Sequence, residues 1–309
     1  DSSTSRGLGD VYKRQGQDCA QYALGKIYRD GQGVEKDIQK AVALFTLAAT
    51  KENSFAAFAL GKLYLAGDAA LPRDPAAALK WLTYAAELGN QFAQYRLGKL
   101  LLKGDDGIPK DVITAIRWLT AAAKQENGYA EYALALVYLT GEDAPKDSVK
   151  ALSLLKRSAG RGNQFAQYRL GKLLLQGEDA PKDVKAAIRW LTAAAEQGNQ
   201  YAQYALGKLY LLGKEVPKDR SSAIKWFQLA ADQGNEYAQY FLEHMDDRLG
   251  QPPVAAVISL FHHLANIFQE QNQPPPSGGV RVAVDRKLLR KIKAKKIAQG
   301  HKADDHEPV

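Results

Sequence analysis

The chain has 309 residues, with 42 Lys and Arg against 34 Asp and Glu, and a single cysteine, Cys19. One cysteine excludes a disulfide framework, and no apolar run approaches the roughly 18 residues that a membrane-spanning helix needs. The net charge of +8 is concentrated: residues 280–300 hold eight cations against Asp285, and the remainder sums to about +1. The basic balance therefore describes a tail and does not make the body of the chain a polyanion-binding surface.

Residues 1–15, DSSTSRGLGDVYKRQ, share nothing with the rest of the chain. They resemble the translated adapter sequence found at the ends of sequenced fragments, and Met245 is the only methionine. The chain is read as the C-terminal part of a longer protein, with this stretch unstructured and set aside.

From residue 16 to 247 one phrase keeps returning. It reads AQYALGKIY at 20–28, AAFALGKLY at 56–64, AQYRLGKLL at 93–101 and AEYALALVY at 130–138. It comes back as AQYRLGKLL at 166–174, AQYALGKLY at 202–210 and AQYFLEHMD at 238–246, at steps of 36 or 37 residues. A fixed period of this size is the mark of a solenoid, whose units bury their apolar faces only by stacking. In the third copy Ala93, Leu97 and Leu100/Leu101 form one stripe of a helical period, which predicts a first helix, A. A second phrase, PKDVKAAIRWLTAAAEQGN at 181–199, lies at a fixed offset and predicts a second helix, B. Asp37, Asp74, Asp111, Asp147, Asp183 and Asp219 suit its N-cap. Pro72, Pro109, Pro145, Pro181 and Pro217 stand two residues earlier and keep helix A from running on. Gly-Asn pairs such as Gly162-Asn163 suit the left-handed turn that ends helix B. Glycine inside helix A costs about 1 kcal/mol against alanine; its place at 25, 61, 98, 171 and 207 predicts close approach of helix B.

The A-x-x-x-L-G-x-x-Y phrase, the K-D start of helix B, its Trp or Phe centre and the A-A-x-x-G-N ending resemble the Sel1-like repeat, a relative of the tetratricopeptide repeat. The resemblance covers residues 16–247, as seven A helices and six B helices. It implies an all-α fold, a right-handed α-solenoid of helix pairs, and a protein-binding scaffold whose partner is a protein or peptide along the concave surface.

The fourth unit is the outlier, with Ala135 for glycine, Leu136 for lysine and Leu154 where Trp81, Trp118, Trp190 and Trp226 stand elsewhere. It is read as a local packing variant.

One column is aromatic in every unit: Tyr22, Phe58, Tyr95, Tyr132, Tyr168, Tyr204 and Tyr240. Four residues on stand Lys26, Lys62, Lys99, Lys172 and Lys208, on the same helix face. The two columns serve either as a ladder for a peptide strand or as a packing column with lysine stems lying across it. Partner choice is expected where the column between them varies, at Arg96, Ala133, Arg169, Ala205 and Phe241. The candidate partner-binding set is Tyr95, Arg96, Lys99, Tyr168, Arg169, Lys172, Tyr204 and Lys208.

Residues 253–271 show helical spacing and are expected to cap the array or to dock a partner. Residues 272–279 read as a Pro/Gly linker, and residues 280–309 as a basic helical tail. Arg286, Lys287, Arg290, Lys291, Lys293, Lys295 and Lys296 are its polyanion-binding candidates, for DNA phosphates or an acidic protein surface. The tail run VAVDRKLLRKIKAKKIAQGHKADDHE resembles the C-terminus of mobilisation relaxases of conjugative elements, in which such repeats follow a strand-nicking domain. That resemblance implies a docking role in DNA processing and transfers no catalytic residue. No nucleophile–histidine set, acid pair, phosphate-cradling glycine loop or metal-ligand spacing stands out, so no enzyme activity, cofactor or metal is expected. A cytoplasmic scaffold is the first reading, and an exported envelope scaffold remains open beside it.

Overall fold

In a computed structural model the backbone is described for residues 2–104 and 107–243, and side chains from Gly16 onward. The expected cap at 253–271, linker at 272–279 and tail at 280–309 lie outside the described residues. In chain order the helices are α1 (Ser2–Asp30), α2 (Ile38–Ala49), α3 (Ser54–Ala66), α4 (Pro75–Glu87), α5 (Gln91–Lys103), α6 (Val112–Lys124), α7 (Gly128–Thr140), α8 (Ser148–Gly160), α9 (Gln164–Gln176), α10 (Val184–Glu196), α11 (Gln200–Leu212), α12 (Arg220–Ala231) and α13 (Glu236–Glu243). Odd-numbered helices are the A helices and even-numbered ones the B helices. Each A helix from α1 to α11 packs most closely on the B helix of its own unit, so the chain is all-α, built as consecutive helix pairs.

Local chemistry sets the boundaries. The side chains of Asp37, Asp74, Asp111, Asp147, Asp183 and Asp219 each accept a hydrogen bond from the N–H three residues on, capping every B helix. The backbone N–H of the same aspartate donates to a carbonyl in the last turn of the preceding A helix, as in Asp183 to Leu174 at 2.9 Å. One residue thus fixes both the start of B and its position against A. The asparagines of the Gly-Asn pairs act one step later than expected. Asn90, Asn163 and Asn199 have extended backbones and cap the next A helix, while the glycine before each takes the left-handed turn.

Glu52 and Glu126 occupy that turn position in the first and third units, at φ of 64° and 65°. A left-handed conformation costs a residue with a Cβ about 1–2 kcal/mol. Glu52→Gly is therefore expected to raise stability by about 1 kcal/mol, read as a higher urea midpoint; an unchanged or lower midpoint would count against strain at this turn.

The core is a stack of alanine and leucine layers. Leu60, Leu82, Leu97, Leu119, Leu155, Leu170, Leu191 and Leu206 are among its largest fully buried side chains. The glycine column does what its position predicts. A Cβ placed on Gly171 would sit 2.7 Å from Leu191 Cγ and 3.0 Å from the Ala187 carbonyl oxygen, and Gly98 meets Leu119 and Ala115 in the same way. In the fourth unit Leu155 is fully buried beside Ala135, and Leu154 is also buried.

Where a unit meets the one before it a polar pair recurs, its first member buried and its second exposed. Gln94 donates to the Ala86 carbonyl and accepts from Gln125 at 2.9 Å. Gln167 with Gln197, and Gln203 with Gln233, repeat this at 2.7 Å. In the fourth unit both members change. Glu131, fully buried, replaces the first glutamine, and Arg161 replaces the second. Arg157 Nη2 lies 2.6 Å from Glu131 Oε1, and Arg161 Nε lies 3.3 Å from Oε2. Ser158, in a column that is otherwise alanine, donates to the Gly128 carbonyl at 2.7 Å. This unit is a packing variant, but its main departure is this charged seam rather than Ala135 or Leu154.

The N-terminus differs from expectation. Helix α1 begins at Ser2, so the backbone of residues 2–15 continues the first A helix and is not unstructured. The stretch contains no proline, and extending a formed helix costs far less than nucleating one.

Candidate functional site

Residues three and four apart on a helix share a face. On each A helix this brings three side chains into one stripe: an aromatic one residue before the repeat's first alanine, the tyrosine column three residues later, and the lysine column four beyond that. The leading aromatics are Phe55, Phe92, Tyr129, Phe165 and Tyr201, each between 37% and 55% exposed. The tyrosine-column rings pack on the leading aromatic of the next unit. Centroids lie 5.9 Å apart for Tyr95–Tyr129, 6.3 Å for Tyr132–Phe165 and 6.1 Å for Tyr168–Tyr201. Tilted rings at this separation attract beyond their area burial. The tyrosine column therefore ties units together, and the leading aromatics carry its exposed edge.

The lysines lie across this column. Lys26 Nζ stands 5.9 Å from the Tyr22 ring centroid and Lys62 Nζ 5.7 Å from that of Phe58. Partial burial, with Arg96 and Lys103 nearby, lowers the pKa of Lys99 below the usual ammonium value. Burial does the same at Lys172, where Arg169 and Lys208 add to the effect and Glu178 opposes it. Burial, then Lys214, lowers that of Lys208. Desolvation and like charge both disfavour the protonated form. Burial also raises the Tyr168 phenol to about 12.

The candidates thus fall into two groups on the A-helix face. Tyr95, Arg96 and Lys99 stand together on α5; Tyr168, Arg169 and Lys172 on α9 adjoin Tyr204 and Lys208 on α11. Tyr204 is only 4% exposed, with its ring against Phe227, Tyr237 and Phe241, so it contributes packing rather than contact area. Phe241 is corrected from a variable surface position to a core one: it is 6% exposed and stacks on Phe227 at 5.2 Å. The leading aromatics were missed in the sequence. Their spacing of three before the tyrosines was visible, but their exposure depends on the neighbouring unit.

Among the described residues no group of three or more His, Cys, Asp or Glu could hold a metal ion. Among them, too, no helix is long and apolar enough to cross a membrane. The tail cations Arg286 to Lys296 lie outside the described residues.

The Sel1 repeat family model matches six times, at residues 20–53, 54–90, 91–127, 128–163, 164–199 and 200–235. A solved Sel1 repeat protein from Oxalobacter formigenes is 33% identical, with a TM-score of 0.68, over 74% of this chain and 66% of that one. A protective antigen of uropathogenic Escherichia coli strains, described as displaying an SLR fold, is 27% identical, with a TM-score of 0.68, over 96% of this chain and 59% of that one. The chain thus spans 66% and 59% of the lengths of these two structures. A comparison with curated proteins gives no match. The resemblance of the tail to mobilisation relaxases finds no support among these comparisons, whose family matches end at residue 235. With six successive matches over helix pairs whose caps, glycines and seams repeat in register, this chain belongs to the Sel1 repeat family.

Proposed function

We propose that the repeats form a non-catalytic protein-interaction scaffold, which takes an extended segment of a partner protein across the A-helix face. The observation that carries this reading is the row of half-exposed aromatics, Phe55 to Tyr201, running beside a row of lysines on one face. Solvent-facing aromatics in a continuous row, rimmed by charge, favour a binding surface over a bare exterior. Tyr and Phe also supply contact area at low entropy cost.

The test is site-specific photocrosslinking in the source cells. A photoreactive residue at Phe92, Tyr129 or Phe165 is expected to capture one and the same protein. The same residue at Ile113 or Val149, which are 85% and 83% exposed on B helices, is expected to capture none of it. Equal capture from both helix sets, or none from the A-helix positions, overturns the reading.

A further inference from the structure

The A helices differ at one place on their surface. Ala56, Ala93, Ala130, Ala166, Ala202 and Ala238, the first alanine of each repeat phrase, are wholly buried. Ala20, in the same column of α1, is exposed. Four residues on, Leu60, Leu97, Leu134, Leu170 and Leu206 are at most 3% exposed, whereas Leu24 is 42% exposed. Residues four apart share a helix face, so Ala20 and Leu24 form one apolar strip.

The packing accounts for the difference. Every A helix from α3 to α13 lies against the B helix that ends just before it, and α1 has no such neighbour among the described residues. On later A helices that side is also a polar seam. Gln94, Gln167 and Gln203 donate to the carbonyls of Ala86, Ala159 and Ala195, in the last turn of the preceding B helix, at 3.0 to 3.1 Å. Gln21 stands in their column. The approach is in register as well. Gly16 holds the place of Gly89, Gly162, Gly198 and Gly234, the left-handed glycines that lead out of a B helix. In the structure Gly16 lies within α1, and residues 1–15 carry none of the B-helix phrase.

We infer that the Ala20–Leu24 strip seats a further B helix, carried by a Sel1 unit that precedes α1 and ending in the same A-A-x-x-G phrase. Continuity with the seams along the array specifies this occupant: the alanine, leucine, glutamine and glycine columns all run on into α1. Such a helix end removes the strip from water, as its counterparts do at every later seam. A second copy of this chain offers no helix of this kind, because α2, α4, α6, α8, α10 and α12 are each covered by the A helix that follows. Seating it requires the backbone to turn at Gly16 instead of continuing α1, a conformation that glycine adopts without steric cost.

A graft within the full chain tests this. Residues 1–17 are replaced by the protein's own B-helix phrase, PKDVKAAIRWLTAAAEQGN of residues 181–199, so that its last asparagine meets Asp18 as Asn199 meets Gln200. In that register Gln21 falls where Gln203 stands, eight residues beyond an alanine carbonyl. The graft is expected to unfold at a higher urea midpoint than the parent, and the amides of α1 to exchange about tenfold more slowly. Leu24→Lys should leave the parent nearly unchanged, because that side chain already faces water, and should remove most of the graft's gain. A midpoint no higher than the parent's, or an equal effect of Leu24→Lys in both backgrounds, overturns the inference. So does a parent that sediments as a dimer and becomes a monomer on Leu24→Lys, since a second copy would then cover the strip.

Discussion

Replacing Arg157 and Arg161 together by alanine is expected to destabilise the protein by about 3–5 kcal/mol, because it leaves a buried carboxylate without its cations. Glu131 is fully buried and meets both arginines. The prediction has an internal control, because the same seam elsewhere holds two glutamines. Adding Glu131→Gln to the double variant removes the stranded charge and is expected to recover most of the loss. In urea denaturation the doubly substituted chain should unfold at a lower midpoint. Because the same arginines also reach the Ala123 carbonyl and Glu126 of the preceding unit, it should also show a split transition as the two units part. Recovery is the decisive result. If Glu131→Gln restores nothing, the arginines stabilise by packing their stems, not by neutralising the acid.

Gly171→Val is expected to cost about 3 kcal/mol, the upper range for overpacking a close contact. Even a single Cβ at this position lies 2.7 Å from Leu191 Cγ and 3.0 Å from the Ala187 carbonyl oxygen. The side chain can turn aside, but the carbonyl belongs to the backbone of α10 and moves only if that helix does. Gly171→Ala should cost less, since a helix gains about 1 kcal/mol from alanine over glycine. Thermal unfolding of the two variants gives the comparison. A valine variant as stable as the parent would show that α9 and α10 separate without cost, contrary to a close-packed column.

Much of this architecture was legible before any coordinates. The six aspartate caps, the glycine column and the pairing of helices come from spacing and from what each residue permits in a backbone. What was not legible depends on where neighbouring units meet. Gln125 and the Gly89 carbonyl stand 36 residues apart, and nothing in a helical period says that they touch. Glu131 looks like one more polar residue on an A helix until its burial is known. The tyrosine column was visible, and so were two uses for it. The ring contacts show that the tyrosines join successive units, and they leave Phe92, Tyr129 and Phe165 as the exposed partners. Glu52 and Glu126 hid the left-handed turn because the residue expected there was glycine.

The seams also bear on how a chain of this kind changes length. Helix α5, QFAQYRLGKLLLK, and helix α9, QFAQYRLGKLLLQ, differ only at the last residue. Coding stretches so alike favour unequal recombination, and an in-frame excision of residues 93–165 would join Phe92 to Ala166. The glutamine now bonded to the Ala159 carbonyl would then find that of Ala86, which already accepts the same bond from Gln94. Glu131, Arg157 and Arg161 would leave together, so no buried carboxylate would be orphaned at the new junction. The arrangement thus permits a shorter lineage to arise in one genetic event, without a second mutation to repair the join.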